Sequence, residues 1–163
     1  MHPSQINWTP EQDQRLKEAV IKFNGKGWKK IALYTFPSGE RSKSDCVERW
    51  RYLSKVGSIK GLWTAEEDRM LIQLVEQYGP EKWVLIASRL GSRTGKQCRE
   101  RWHNHLNPQI NKAPFTYEEE ATIFQLYSQI GSKWAEMAKV LPGRSDNAIK
   151  NHFNTVIQRK RKR

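Results

Sequence analysis

The sequence predicts an all-α chain of three tandem three-helix repeats. Three observations carry that prediction. Large aromatic residues recur in triplets, a capping signature follows the first aromatic of each triplet, and behind each cap runs an apolar stripe of helical period. The triplets are Trp8, Trp28 and Trp50, then Trp63, Trp83 and Trp102, then Phe115, Trp134 and Phe153. Steps within the second and third triplets are 19 or 20 residues, and the step from Trp28 to Trp50 is longer. The repeats are expected at 1–56, 57–110 and 111–163, the last ending in a basic tail. A repeat of about fifty residues can bury only a small core, so it needs large side chains. The nine aromatics are therefore read as core pegs rather than as groups that stack on bases.

Each first helix has the same start. Thr9, Thr64 and Thr116 stand three residues before Gln12, Glu67 and Glu119, the pattern of a capping box. Pro10 occupies the first helical position, where its missing N–H costs nothing. Acidic residues crowd the first turns and suit the helix dipole. The stripes behind the caps are Leu16, Ala19, Val20 and Phe23, then Leu71, Leu74, Val75 and Tyr78, then Ile123, Leu126, Tyr127 and Ile130. Gly25, Gly79 and Gly131 stop these helices.

Second helices begin near the middle aromatics. One face carries Trp28, Ile31 and Ala32 in the first repeat, and Trp83, Ile86, Ala87 and Leu90 in the second. In the third it carries Trp134, Met137, Ala138 and Leu141. Gly91 and Pro142-Gly143 are the turns that follow. The third helices start at the caps Thr94 (with Gln97 three residues on) and Ser145. A helix, a tight turn and a polar-faced helix make a helix-turn-helix.

The third helix of the middle repeat has two unlike faces. Lys96, Arg99, Glu100, His103 and Asn104 fall on one side, and Cys98, Trp102 and His105 on the other. In the third repeat Asn147, Lys150, Asn151 and Asn154 share one face, while Ile149, Phe153 and Val156 share the opposite one. Asn pairs a donor with an acceptor, as adenine N6 and N7 require. Lys donates to guanine, and Glu accepts from cytosine N4. The joint Asn107-Pro108-Gln109-Ile110-Asn111-Lys112 is short and should hold two such helices close, and Pro108 keeps the preceding helix from running on.

Composition narrows the partner. A formal charge of +12 over 163 residues predicts a polyanion, with nucleic acid ahead of an acidic membrane surface. No apolar run approaches the ~20 residues of a membrane span, and the N-terminus has no secretory apolar core. Cys46 and Cys98 make no disulfide framework and suggest a reducing compartment. His103-Asn104-His105 spells a nuclease-like tripeptide, but the two His point to different sides of a helix and no carboxylate cluster accompanies them. With Cys98 they also miss zinc-ligand spacing. No phosphate-cradling Gly loop and no nucleophile with its base is present, so neither catalysis, a metal nor a cofactor is expected.

Two segments carry a resemblance. Gly95-Lys96-Gln97-Cys98-Arg99-Glu100-Arg101-Trp102-His103-Asn104-His105-Leu106-Asn107-Pro108 is one, and Leu141-Pro142-Gly143-Arg144-Ser145-Asp146-Asn147-Ala148-Ile149-Lys150-Asn151-His152 is the other. With the aromatic spacing, they make nearly the whole chain resemble the three-repeat DNA-binding domain of the Myb transcription factors, a Myb/homeodomain-like helix-turn-helix fold. The resemblance implies that the third helices of repeats two and three lie together in one major groove. The implied core is AAC, any base, then G. Lys96 and Lys150 would read guanine, Asn151 adenine and Glu100 cytosine, with Asn147 and Asn154 assisting; Asn104, on the outward face with Lys96 and Glu100, is a further expected base contact. The resemblance also suggests a redox-sensitive thiol at Cys98, against the plainer reading of a small buried hydrophobe.

Repeat one departs from the pattern. With Trp50 aligned on Trp102, Ser44 stands at Lys96 and Tyr52 at Asn104. It is expected to add phosphate contacts, stability or a protein surface, with little base reading. Phe115 and Phe153 lack the indole N–H, so the third core is expected to pack somewhat differently. Arg93, Arg99, Arg144 and the tail Arg159–Arg163 are the expected phosphate contacts. The expected whole is a sequence-specific duplex-DNA-binding module of a nuclear transcription regulator. It is expected to bind as a monomer, with protein co-regulators as possible further partners. A histone-tail-binding module of the SANT type shares the fold. Between Gly91 and Lys112, however, five Lys or Arg stand against one acid, which favours DNA. An RNA-associated spliceosomal Myb-like protein is the other rival.

Overall fold

The computed structural model describes residues 8–162, with the backbone alone at Gln158, Arg161 and Lys162. Every regular element among the described residues is helical. Two compact units divide the chain after Glu100. This division falls inside the middle repeat's third helix. The boundaries at 56 and 110 thus describe the sequence period, and compactness divides the chain differently.

The first unit holds α1 (Pro10–Lys22), α2 (Trp28–Thr35), α3 (Lys43–Leu53), α4 (Ala65–Tyr78), α5 (Trp83–Leu90) and nearly all of α6 (Gly95–Arg101). The second holds a π-helical turn (Trp102–Leu106), α7 (Tyr117–Ile130), α8 (Trp134–Ala138) and α9 (Asp146–Lys162).

Reciprocal capping boxes open α1, α4 and α7 as the Thr-x-x-Glu/Gln spacing predicts. A further one, Ser42 with Asp45, opens α3 and lies beyond the sequence reading. Behind the caps, Leu16, Ala19 and Val20 of α1 meet Ile31, Ala32, Phe36 and Cys46 in the first core. Arg49 of α3 ties back to Asp13 of α1 through two bonds of 2.8 and 2.7 Å. The α4–α6 layer buries Leu71, Leu74, Val75, Ile86 and Cys98. A Cβ at position 95 would come within 3.3 Å of the Trp83 carbonyl oxygen, so glycine there lets α6 start close against α5.

The two repeats of the first unit touch. Val84 of α5 packs on the first core. Asn24, left-handed at φ 53, donates its side-chain N–H to the Glu81 carbonyl at 3.0 Å. Within repeat two, Ile59 N–H bonds the Ser92 carbonyl at 2.8 Å.

In the second unit Ile123, Met137, Leu141, Ile149 and Phe153 are buried together. Phe153 lies among three rings, with centroids 4.4 Å from Tyr127, 5.1 Å from Trp134 and 5.4 Å from Phe124. Glu120 of α7 meets the His152 ring of α9 at 2.7 Å, the counterpart of Asp13 with Arg49.

Four expectations need correction. Trp8, Trp102 and Phe153 are buried, but Trp28, Trp50, Trp63, Trp83, Phe115 and Trp134 are half-buried. A core this small cannot enclose every large ring, so these pegs cover it from the edge. The middle repeat's third helix leaves α geometry at Trp102. Asn107 is extended (φ −60, ψ 121) ahead of Pro108 and closes the helix with an i→i+5 bond to Trp102 O at 3.0 Å. The wider turn changes the register, and His105, expected inward, is exposed. Helix α8 ends at Ala138, so Leu141 reaches the core from the turn before Pro142. Finally, α9 runs on through Lys162, so the basic tail begins as helix, and Lys160 Nζ lies 4.7 Å over the Phe124 ring. Arg163 and the side chains of Arg161 and Lys162 lie outside the described residues.

Phe153→Ala should destabilise the second unit by roughly 3–5 kcal/mol, as aromatic core deletions do. Denaturant unfolding followed by Trp134 fluorescence would measure it. An unchanged midpoint would mean that Phe153 does not hold this core.

Candidate nucleic-acid interface

The exposed faces of the third helices depend on how each helix is started. In α9 the start is polar and local. Ser145 Oγ accepts from Ala148 N–H at 3.1 Å, and Asp146 Oδ1 accepts from Asn147 N–H at 2.8 Å. Ile149 and Phe153 then face the core. Helical period turns Asn147, Lys150, Asn151 and Asn154 outward, and all four are exposed. In α6, Thr94 N–H donates to Gln97 Oε1 at 2.8 Å and Gln97 N–H donates to Thr94 Oγ1 at 3.2 Å. Gln97 also donates to the Ile59 carbonyl at 3.0 Å. Cys98 is buried, and Lys96, Arg99 and Glu100 are exposed. Asn104, displaced into the π turn, is half-buried.

Just before each start sits a buried arginine. The Arg93 Nε–H and one Nη2–H donate to Glu67 at 2.6 and 2.9 Å. Its other N–H groups reach the carbonyls of Ile59, Gly61 and Leu62 at 3.0, 3.0 and 2.8 Å. Arg144 repeats the arrangement. It donates to Glu119 at 2.7 and 2.9 Å, and to the carbonyls of Asn111, Ala113 and Pro114 at 2.9, 2.6 and 3.1 Å. Each guanidinium also lies under an aromatic peg, Trp63 at 4.7 Å and Phe115 at 4.1 Å.

This corrects the reading of Arg93 and Arg144 as phosphate contacts. They are 4% and 6% exposed, and all five guanidinium N–H groups of each are engaged within the protein. Of the three phosphate arginines expected ahead of the tail, Arg99 alone faces solvent. The arginine bonds hold the Glu67 and Glu119 carboxyls down to about 2, against the usual 4.5. Repeat one keeps the device in neutral form: Arg41 donates to Gln12 at 3.1 Å and lies 4.4 Å over Trp8.

Cys98 lies in the core, as the plainer of its two readings expects. It has no solvent exposure, and burial pushes its thiol up to about 12. Burial and a raised thiol both suit a small core hydrophobe. Cys46 behaves alike, pushed up by burial to about 11. Among the described residues no group of three or more His, Cys, Asp or Glu comes together as a metal site.

The arginine clamps lie beyond the capping pattern, which marks Glu67 and Glu119 as caps alone. Their signal lies in the repeat register: Arg41, Arg93 and Arg144 each stand immediately before a third-helix cap, at Ser42, Thr94 and Ser145.

Comparison with known proteins decides the family. A Myb-like DNA-binding domain model matches residues 63–122, and a second Myb-like DNA-binding model matches 7–53 and 112–157. The chain belongs to the Myb family of DNA-binding domains. It is 51% identical over 153 residues to transcription factor MYB3R-4 of Arabidopsis thaliana, covering 94% of this chain and 16% of that protein. It is 48% identical over 155 residues to Myb-related protein B of Gallus gallus, covering 95% of this chain and 22% of that protein. The chain thus spans about a fifth of the length of these relatives. Among solved structures, the Myb3 DNA-binding domain of Trichomonas vaginalis, bound to a promoter sequence, superposes with TM-score 0.58 at 49% identity, over 61% of this chain and 85% of that one. Myb2 of Trichomonas vaginalis, in complex with MRE-1-12 DNA, superposes with TM-score 0.55 at 41% identity, over 63% of this chain and 92% of that one. The Myb family is one of transcription factors rather than enzymes.

The clamps should make repeats two and three acid-sensitive. Both carboxyls are depressed, so their stabilisation is complete above the usual 4.5 and is lost as pH falls toward about 2. Glu67→Gln with Glu119→Gln should lower stability at neutral pH and flatten the decline across that window. Urea unfolding at stepped pH would show it. A double variant with the wild-type acid profile would remove the clamps as its cause.

Proposed function

We propose that this Myb domain binds duplex DNA in a sequence-specific way, as part of a nuclear transcription regulator. The third helices of repeats two and three read a core of AAC, any base, then G, in the major groove. Lys96 and Lys150 donate to guanine, Asn151 pairs with adenine, and Glu100 accepts from cytosine N4. Asn104, Asn147 and Asn154 add contacts. Arg99 and the exposed Arg159 and Lys160 meet phosphates. Repeat one is auxiliary, and the domain acts as a monomer, with co-regulator proteins as further partners.

One observation carries the reading. The outward face of α9 sets three Asn and one Lys in a single helical row, backed by the buried Ile149 and Phe153. A merely attractive surface needs cations, whereas this row is mostly uncharged and suited to base edges. The two Trichomonas relatives solved with DNA support duplex DNA as the class of partner.

The test separates reading from attraction. Asn151→Ala should cost about 1–3 kcal/mol on a duplex carrying the core, and almost nothing on a scrambled one. Its salt slope should stay that of wild type. Lys150→Ala should weaken both duplexes and lower the slope by about 0.9 if the lysine also displaces a counterion. Titrations on both duplexes at two salt concentrations decide it. Equal weakening of both duplexes by Asn151→Ala would overturn direct readout by α9.

A further inference from the structure

A cleft of about 900 Å³ opens inside the first unit, between the first repeat and α5–α6. Its floor is apolar, with Trp50, Leu53 and Val56 on one side and Trp83, Val84 and Ala87 on the other. Its rim is cationic, set with the exposed Lys17, Lys55, Lys96 and Arg99. The carboxylate in the lining, Asp13, already has both oxygens bound by Arg49, so it does little to offset that charge. The walls are fixed relative to each other by Val84 on the first core and by Asn24 on the Glu81 carbonyl.

Floor and rim together select the occupant. A sugar-phosphate strand suits the rim but leaves the two indoles and their aliphatic neighbours in water. A small apolar molecule suits the floor and leaves the cations without counter-charge. A helix with an apolar face and acidic flanks satisfies both, and laying such a helix in a groove is a common mode of peptide recognition. We infer that this cleft docks an acidic amphipathic helix from a partner protein. The apolar face of that helix seats on Trp50 and Trp83, and its carboxylates pair with Lys17, Lys55, Lys96 and Arg99. Lys96 and Arg99 also belong to the outward face of α6, so the helix and duplex DNA compete. That last clause alone rests on the proposed reading of DNA; docking itself does not.

The probe is a fluorescent, end-blocked peptide of roughly three helical turns, with Leu and Phe on one face and Glu on the rest. Its control has the same composition in scrambled order. The probe should bind the full chain at least about tenfold more tightly than the control, and more weakly as salt rises. It should shift the indole resonances of Trp50 and Trp83 and leave that of Trp134 in place. Ser88→Trp fills the cleft without changing charge and should abolish binding; Ser54→Trp does the same from the opposite wall, should the first variant melt early. Lys17→Glu with Lys55→Glu should weaken binding about tenfold or more. Duplex carrying the core should displace the probe, and a stable ternary complex would overturn the competition. Equal binding of the scrambled control, shifts at Trp134, or indifference to both filling variants would overturn the docking. So would filling variants that weaken duplex binding and spare the peptide, since the cleft would then belong to DNA.

Discussion

A charged pair at the root of the third helix holds each of the later repeats together. Glu67 accepts from the Thr64 backbone, from the Ser92 hydroxyl and from two N–H groups of Arg93, so one carboxylate caps α4 and fastens the turn before α6. Glu119 caps α7 and fastens the turn before α9 in the same way through Arg144. Taking an ion pair out of water is costly, and it is tolerated when every donor finds a partner. Here the backbone carbonyls ahead of each first helix satisfy the rest of the guanidinium. Removing one partner would strand a buried charge, which is worse than never having had the pair.

From that anchor the reading faces follow. The clamp fixes where a third helix starts, and the helical period then decides which side chains meet solvent. In α9 a second tie, Glu120 with His152, holds the middle of the helix, and the His152 ring stacks on Phe115 at 4.2 Å. Phe115 is thus pressed by His152 and by the Arg144 guanidinium. Repeat one has a carboxamide in place of the carboxylate and adds the Arg49–Asp13 pair. It also leans on α5 through Val84.

Much of this was legible in the residues themselves. The capping boxes and the stripes of the first helices are local, and local rules sufficed for Thr9, Thr64 and Thr116 and for Leu16, Leu71 and Ile123. The outward positions of Lys96, Glu100, Lys150 and Asn151 follow from helical period alone. What escaped depended on contacts far apart in sequence, or on a departure from α geometry. Arg93 and Arg144 look like surface cations until the loop carbonyls are brought around them. Asn104 and His105 were placed by a 3.6-residue period that ends at Trp102, and the signal for the change was Pro108, six residues on. Trp28, Trp50, Phe115 and Trp134 pack on the cores yet stay half-buried, because period gives direction and not depth.

The clamps also reach backwards. Arg93 grips the carbonyls of Ile59, Gly61 and Leu62, and Arg144 grips those of Asn111, Ala113 and Pro114, all ahead of the repeat's first aromatic. What looks like connecting chain is therefore part of the repeat that follows it. A repeat copied by gene duplication, or transplanted into another protein, carries its own fastening only if the crossover falls upstream of these residues. A junction made at Trp63 or Phe115 would leave the guanidinium to whatever backbone the new neighbour supplied.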